Sequence, residues 1–519
     1  MKTILSIFIL SLLTTAYISA QTLDDALRFS HVSITGTARS ASMGNAFGAL
    51  GGDFSSLSIN PAGIAIYRSS EVSVSPSVNF NTTSSMYTGM YSEDKETSWP
   101  FAQAGAVFTN RTFKPGNKGL ISTHFAIGYN RNNNFNQNIP INGKVEQSSL
   151  LGQFVINGEG SSPDNLNQFG SQLAFDTWLL DTLPGINDSY FNAFEGIDEN
   201  GNILWRADRG IDQKRQTFKD GYAGEYLFSF GVNISQKFML GASLNIQSMQ
   251  YTESSMYSEF NTYDLIYYDE LITTPRNYDI EYFNYRTYLH QSATGFNFKI
   301  GAIVRPFPFL RLGAAIHTPT YYNIWEHYNS DITASYLDDS IYVASSPYGE
   351  YNYKYRTPFK ATGSAALILG KQLIVSFDYE FQSYKSTEFR PLQYSDDYFR
   401  YLNEQIDEKF KNTNNFRAGL EFKFTPNIGL RGGFSTQETP YKKEYQDTKS
   451  KFYTYSGGIG YRTLKYFIDA AYIMTTSEYD FYNYNYDDQT GNDYGYDPAQ
   501  PARIKSKDNR VIVTLGFRF

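Results

Sequence analysis

The chain predicts an all-β fold: a transmembrane antiparallel β-barrel of about 14 strands with an N-terminal plug containing short helices. Three observations predict it. The last residues alternate: Val511, Val513, Leu515, Phe517 and Phe519 are apolar, with Thr514, Gly516 and Arg518 between them and Ile512 the one break. That period sends one face to lipid and the other to a lumen, and the final aromatic suits the bilayer interface. An export signal stands at the other end. Between them, alternating segments are joined by connections that are short and long in turn, as in outer-membrane barrels with short periplasmic turns and longer outer loops.

The elements follow in chain order. Lys2, the apolar run from Ile4 to Leu13 and the small residues Ser19-Ala20 read as a secretory signal peptide over 1–20, cut after Ala20. The sequence has no Cys, which excludes lipoprotein attachment, disulfides, thiol catalysis and Cys-ligated metals. No later apolar run reaches the roughly 18 residues of a transmembrane helix. The mean hydropathy of -0.43 fits a barrel, in which only alternate residues meet lipid.

Residues 21–70 do not read as strand. Gly36, Gly44, Gly48, Gly51, Gly52 and Gly63 let backbone pack closely, and a short helix is expected around Ala41 to Leu50. The segment is expected to fold into the lumen as a plug rather than remain outside at the periplasmic end.

Residues 71–519 carry the barrel. Strands are expected at 71–80, 101–110, 120–130, 222–235, 238–251, 288–305, 309–325, 350–369, 372–385, 412–424, 427–438, 450–462, 465–478 and 507–519. Leu373, Val375, Phe377, Tyr379 and Phe381 oppose Ser376, Asp378 and Glu380; Phe416, Ala418, Leu420 and Phe422 oppose Arg417, Gly419 and Glu421. A slip of one residue would put those charges into lipid, so the register is strongly set. Outer loops are expected near 81–100, 131–221, 252–287, 326–349, 386–411, 439–449 and 479–506. In the largest, 131–221, Ser162-Pro163-Asp164 starts and Pro184-Gly185 stops an expected amphipathic helix. Its Leu166, Phe169, Leu173, Trp178 and Leu179 form an apolar surface that either packs on the rim or receives a ligand.

Other chemistry is sparse. The five His form no ligand cluster in sequence, and Asp338-Asp339 and Asp487-Asp488 lack a regular calcium loop. No metal, cofactor or catalytic set is expected. The net charge of -8, with no basic patch, does not point to nucleic acid. Asp378, Glu380, Glu421, Lys423, Arg431 and Asp469 are expected to pair inside the lumen.

Gly36-Thr37-Ala38-Arg39-Ser40-Ala41-Ser42-Met43-Gly44-Asn45-Ala46-Phe47, followed by Asn60-Pro61-Ala62-Gly63-Ile64, resembles the N-terminal hatch of the FadL/TodX family of outer-membrane transporters. The stretches from Leu310 to Pro319, Val375 to Tyr379 and Phe416 to Phe434 resemble that family's strands. The resemblance implies a plugged barrel in the outer membrane of a Gram-negative bacterium, a monomer without enzyme activity. It implies passive uptake of a small hydrophobic molecule, a long-chain fatty acid or similar, with a kinked strand opening the wall for exit. It also implies hatch or ligand roles for Phe47, Leu50, Phe54, Asn60, Pro61, Ala62 and Gly63. The alternative is a barrel of the same plan that serves as a binding or scaffold component for a protein partner at the cell surface or in protein export.

Overall fold

A computed structural model describes residues 22–519 except 34, 113–117, 199–201, 208, 262–278, 393–396, 446–450, 485 and 487–493. The signal segment and Asp487-Asp488 lie outside the described residues. Fourteen strands form the wall. They are β1 (Glu71–Tyr87), β2 (Met90–Ser98 and Phe101–Arg111), β3 (Leu120–Asn134 and Gln137–Val145), β4 (Ile211–Ile234), β5 (Phe238–Phe260) and β6 (Ile280–Phe307). Next come β7 (Leu310–His317 and Tyr321–Tyr336), β8 (Gly349–Arg356 and Phe359–Leu369), β9 (Leu373–Ser383 and Glu388–Pro391) and β10 (Thr413–Lys423). The last are β11 (Ile428–Glu438), β12 (Lys451–Arg462), β13 (Tyr466–Tyr482) and β14 (Pro501–Arg518). Each pairs antiparallel with the next, and β14 returns to β1 from Glu71↔Arg518 to Met86↔Arg503, so the barrel is closed.

The outward face follows the alternation. Phe230, Leu240, Leu244, Phe296, Ile300 and Leu420 are exposed on it, while Ser229, Asn245, Asn297 and Glu421 are buried inside. Two departures from the sequence expectation have physical causes. β5 and β6 run 23 and 28 residues, far beyond the roughly 10 that cross a bilayer, so much of the expected loop 252–287 is strand. Above the membrane nothing demands an apolar outer face, so pairing continues without the alternation that marks it below. The expected strands 309–325 and 350–369 are each broken, at Pro319 and Pro358, because proline cannot donate to a ladder.

The hatch occupies the lower lumen. It holds α1 (Leu23–Ser30), α2 (Ala38–Ser42), α3 (Ser56–Ile59) and the 3-10 turn Pro61–Ile66. Its backbone lies against the wall because successive strands turn glycines inward. A Cβ on Gly419 would stand 2.5 Å from Met43 O, and one on Gly313 2.6 Å from Gly48 O. Gly241 meets Pro61, Gly231 meets Ile64, Gly301 meets the Asn60 side chain and Gly433 meets Gly44 N, all too closely for a side chain. Polar links fasten the same surface: Gly48 N donates to Asp378 (3.0 Å), and a chain of ion pairs runs Arg39–Glu421–Arg431–Asp469–Arg462 at 3.0, 2.8, 2.7 and 2.5 Å.

Gly433→Ala is expected to lower stability by about 1–3 kcal/mol, the ordinary cost of overpacking, and to expose the hatch to protease. Gly363→Ala, where a Cβ meets nothing within 4 Å, is expected to change neither. Urea unfolding and limited proteolysis of the two variants check this.

Candidate functional site

Among the described residues, small cavities of about 50 and 60 Å³ lie in the lumen beside the hatch. Each has room for a few waters and not for an alkyl chain. The segment after α1 divides them, with His31 and Val32 lining both. One cavity reaches α2 through Ala41 and Gly44 and the wall through Arg510 and Ile512. The other is bounded by Phe29, Ile59, Tyr322 and Pro358 and by the charged groups Glu225, Lys299, Lys360, Glu380 and Arg417.

These charges are arranged unevenly. Lys299 Nζ pairs with Glu225 at 2.7 Å, and Arg417 Nη2 with Glu380 at 2.7 Å. Lys360 is a third cation, the buried Asp378 is a third carboxylate acting on Arg417, and Arg417 Nη1 is buried with no hydrogen-bond partner. His317 Nε2 lies 2.8 Å from Ile59 O and so donates to it. A buried guanidinium donor without an acceptor is costly, and an anion entering this cavity would supply one. The walls are therefore mixed, aromatic on one side and cationic on the other.

α1 leads the chain into this region. Arg28 stacks on Tyr251 at 3.8 Å, pairs with Asp25 and donates to Gln291 at 2.8 Å. Phe29 packs on Tyr322 and Tyr355, ring centres 5.9 and 5.6 Å away. The chain then crosses to β3 at the one place where β2 abandons it. β2 and β3 pair no higher than Gln103↔Asn130. Above that point β2 bends at Trp99-Pro100 and continues as a hairpin with β1, while β3 is bulged at Asn132, between Asn133↔Ala223 and Arg131↔Gly224. A bulge and a proline together end a ladder. The carbonyls this leaves on β3 are taken by the hatch: Thr35 N donates to Arg131 O (3.0 Å) and Ser33 N to Asn132 O (2.7 Å). Arg510 Nη1 holds the Thr35 hydroxyl at 3.0 Å. The gap in the wall is thus sealed by plug backbone.

The outer mouth is closed differently. Residues of the large loop form a cap with α4 (Leu150–Gly158) and α5 (Ser171–Asp176). Four donors surround the buried Glu259 carboxylate: Ser149 Oγ (2.5 Å), Leu150 N (2.9 Å), Gln213 Nε2 (2.9 Å) and Tyr257 OH (2.5 Å). Tyr87 OH donates to Gln213 (2.7 Å) and Tyr484 OH to Ser148 (2.8 Å). This network caps α4 and ties it to β1, β4 and β5 and to the loop after β13.

The sequence-derived site residues fall in two groups. Phe47, Leu50, Phe54, Asn60, Pro61, Ala62 and Gly63 are all buried, and all lie at the contact between hatch and wall. Asn60 shapes its turn by accepting from Ala62 N (3.0 Å) and donating to Gly48 O (2.7 Å). None of the seven lines either cavity. In the cap, Leu166, Leu173 and Leu179 join an apolar cluster shared with the upper wall strands through residues such as Ile141, Phe283 and Ile332, Phe169 packs on Tyr328 (4.9 Å), and Trp178 is exposed. The expected helix there is the short α5, and α4 precedes it. The cavity residues His31, Val32, His317 and Lys360 carried no sequence signal beyond their inward or hatch positions.

No protein-family model matches the chain, and no curated protein is similar to it in sequence. Solved structures share its fold. A FadL homologue from Pseudomonas aeruginosa aligns over 94% of this chain and 99% of its own, at 14% identity and a TM-score of 0.53. A deltaS2 mutant of TodX, a monoaromatic hydrocarbon channel, aligns over 93% and 99%, at 11% identity and a TM-score of 0.50. The Pseudomonas putida toluene transporter TodX aligns over 94% and 99%, at 11% and 0.49. The chain is a FadL-type plugged barrel in fold.

Glu259 yields a pH prediction. Burial raises its pKa from 4.5 to about 7, against the opposing hydrogen bonds. Its folded-state pKa lies above the unfolded value, so its contribution is complete below about pH 4.5 and is lost as pH rises through about 7. Cap amides in α4 are expected to exchange hydrogen more slowly at pH 5 than at pH 8, once intrinsic rates are divided out. Glu259→Gln is expected to flatten that dependence.

Proposed function

We propose that this barrel admits small hydrophobic molecules across the outer membrane of a Gram-negative bacterium by passive diffusion, and that its ligand is a long-chain fatty acid or a similar acid-bearing chain. The observation that carries the reading is the wall gap between β2 and β3, stopped by Ser33 and Thr35 of the hatch beside two lumen cavities. The plug segment is held in the gap by two backbone bonds, by Arg510 on the Thr35 hydroxyl and by Gln437 on Val32 O, a closure that local movement can open without unseating the glycine-packed lower hatch. An apolar chain gains roughly 0.8 kcal/mol per buried methylene, so a series of apolar contacts serves it better than a water-filled pore. The buried Arg417 Nη1, without an acceptor and beside Lys360, favours an acidic head over a neutral hydrocarbon. The FadL-type fold agrees with this reading.

Uptake of a labelled long-chain fatty acid into vesicles carrying the barrel tests it. Replacing Asn60-Pro61-Ala62 by Gly-Ser-Gly removes the turn that sets the hatch against β5 and β6, and is expected to change uptake several-fold at equal insertion. No uptake by either form rejects the fatty acid and shifts the weight to a scaffold role with a protein partner. Lys360→Met is expected to weaken fatty-acid binding roughly tenfold or more, the scale of removing one partner from a buried charge pair, and to leave toluene binding unchanged. Equal loss for both ligands contradicts the acid assignment.

A further inference from the structure

The wall has a second irregular region, across the barrel from the β2–β3 gap. Three consecutive strands lose regular structure at one level. β7 breaks at Pro319, β8 at Pro358, and β9 passes through the 3-10 turn Tyr384–Ser386 before resuming at Glu388–Pro391. The ladder between β9 and β10 ends at Gln382↔Thr413. Above it, among the described residues, β9 pairs with β8 and not with β10.

A helix stands where the strand neighbour is missing. This is α6 (Asp397–Lys409), a segment expected from sequence to be loop. Asn403 substitutes for a strand: its side chain accepts from Phe389 N at 2.8 Å and donates to Phe389 O at 2.9 Å. Phe399, Leu402 and Ile406 turn inward, while Arg400, Tyr401, Glu404, Asp407 and Glu408 face out. The apolar face of α6 is turned to the protein and its charged, mainly acidic face outward, which places the helix at or above the headgroup zone and not in the acyl layer, where exposed charge is costly. Its height agrees. The 11-residue strand below it, Leu373–Ser383, climbs roughly 27 Å at the usual tilt, about the height of a barrel's apolar band. Phe377, Tyr379 and Phe416 form an aromatic cluster on the outer surface just beneath.

Behind α6 lie the rings of Phe389, Tyr353 and Tyr355, with Phe29 of the hatch beyond them. Below those rings is the cavity bounded by Pro358, Lys360 and Arg417. Toward the strands the helix is held by the two Asn403 bonds, three apolar side chains and an exposed 3.8 Å ion pair between Lys385 and Asp407. Its C-terminal end is tied to the 440–445 segment by Lys442 N on Lys409 O (2.8 Å) and Tyr445 OH on Glu408 (2.7 Å), so that its N-terminal half is the freer one. A strand in its place would be held by a full backbone ladder. The outer mouth, by contrast, is closed by the cap's buried hydrogen-bond network.

We propose that α6 is a door from the outer leaflet into the lumen, and that the aromatic cluster behind it parts to take the chain of a single-chain acid whose carboxylate reaches Lys360 and Arg417. The inference rests on the fatty-acid reading above. It adds a route: a molecule already dissolved in the bilayer enters sideways at headgroup level, without passing the cap.

The absence of Cys allows a direct test. Lys385→Cys and Asp407→Cys, both at exposed positions, are bridged in the intact barrel by a short, reducible bis-thiosulfonate. Vesicles carry a diazirine-bearing fatty acid in their lipid, and labelled peptides are mapped by mass spectrometry alongside uptake. Labelling of the Phe389, Phe399 and Leu402 peptides is expected in the unbridged protein, with at least a tenfold loss on bridging and recovery on reduction. Uptake is expected to follow the same course. Labelling or uptake that persists through bridging overturns the door while leaving transport standing. Labelling that bridging abolishes, with no uptake by any form, supports the door and removes the transport reading. No labelling of these peptides in the unbridged protein overturns the door.

Discussion

The close fit between hatch backbone and the inward glycines of the wall governs the rest of the structure. Where Gly419, Gly433, Gly301 and Gly241 remove side chains, the plug fills the lower lumen to van der Waals contact, and the ion chain from Arg39 to Arg462 fastens it there.

The three closures differ in kind. The cap closes the mouth with a buried polar network around Glu259, expensive to disrupt in part because every donor in it would lose a partner. The β2–β3 gap is closed by backbone bonds from Ser33 and Thr35 and, above them, by side-chain bonds across the seam such as Asn134 to Ser98 and Asn142 to Ser92. The β9–β10 side is closed by a helix. The two lateral closures lie on either side of α1 and the segment after it, and the cavities separated by that segment link them. Displacing the chain between Phe29 and Thr35 would join the cavities and uncover the β3 edge in one movement.

What could be read from sequence follows from what imposes the pattern. Lipid forces alternation on residues such as Leu373 to Phe381 and Phe416 to Phe422, and the strands there are where the pattern places them. Above the bilayer that pressure ends, so the extension of β5 to Phe260 and the hairpin Met90–Ser98 left no comparable trace. Pro319 and Pro358 were visible breaks inside segments read as continuous strand. Phe399, Leu402 and Ile406 have helical spacing after Asp396-Asp397, a signal that lay unread in an expected loop. Asn60-Pro61-Ala62 marked the hatch turn. The cavity was not legible, because Lys360 and Arg417 come together only through the barrel's curvature, and His31 only through the path of the hatch.

The central claim is that the chain around Ser33 and Thr35 is the movable closure of the wall. Its most direct measurement is uptake of a labelled fatty acid by a Ser33→Cys, Asn132→Cys barrel, oxidised and then reduced, with disulfide formation verified by mass. The account predicts that the oxidised form passes at most a tenth of the label carried by the reduced form. Equal uptake by the two would show that ligand crosses without moving this segment, and would contradict the account.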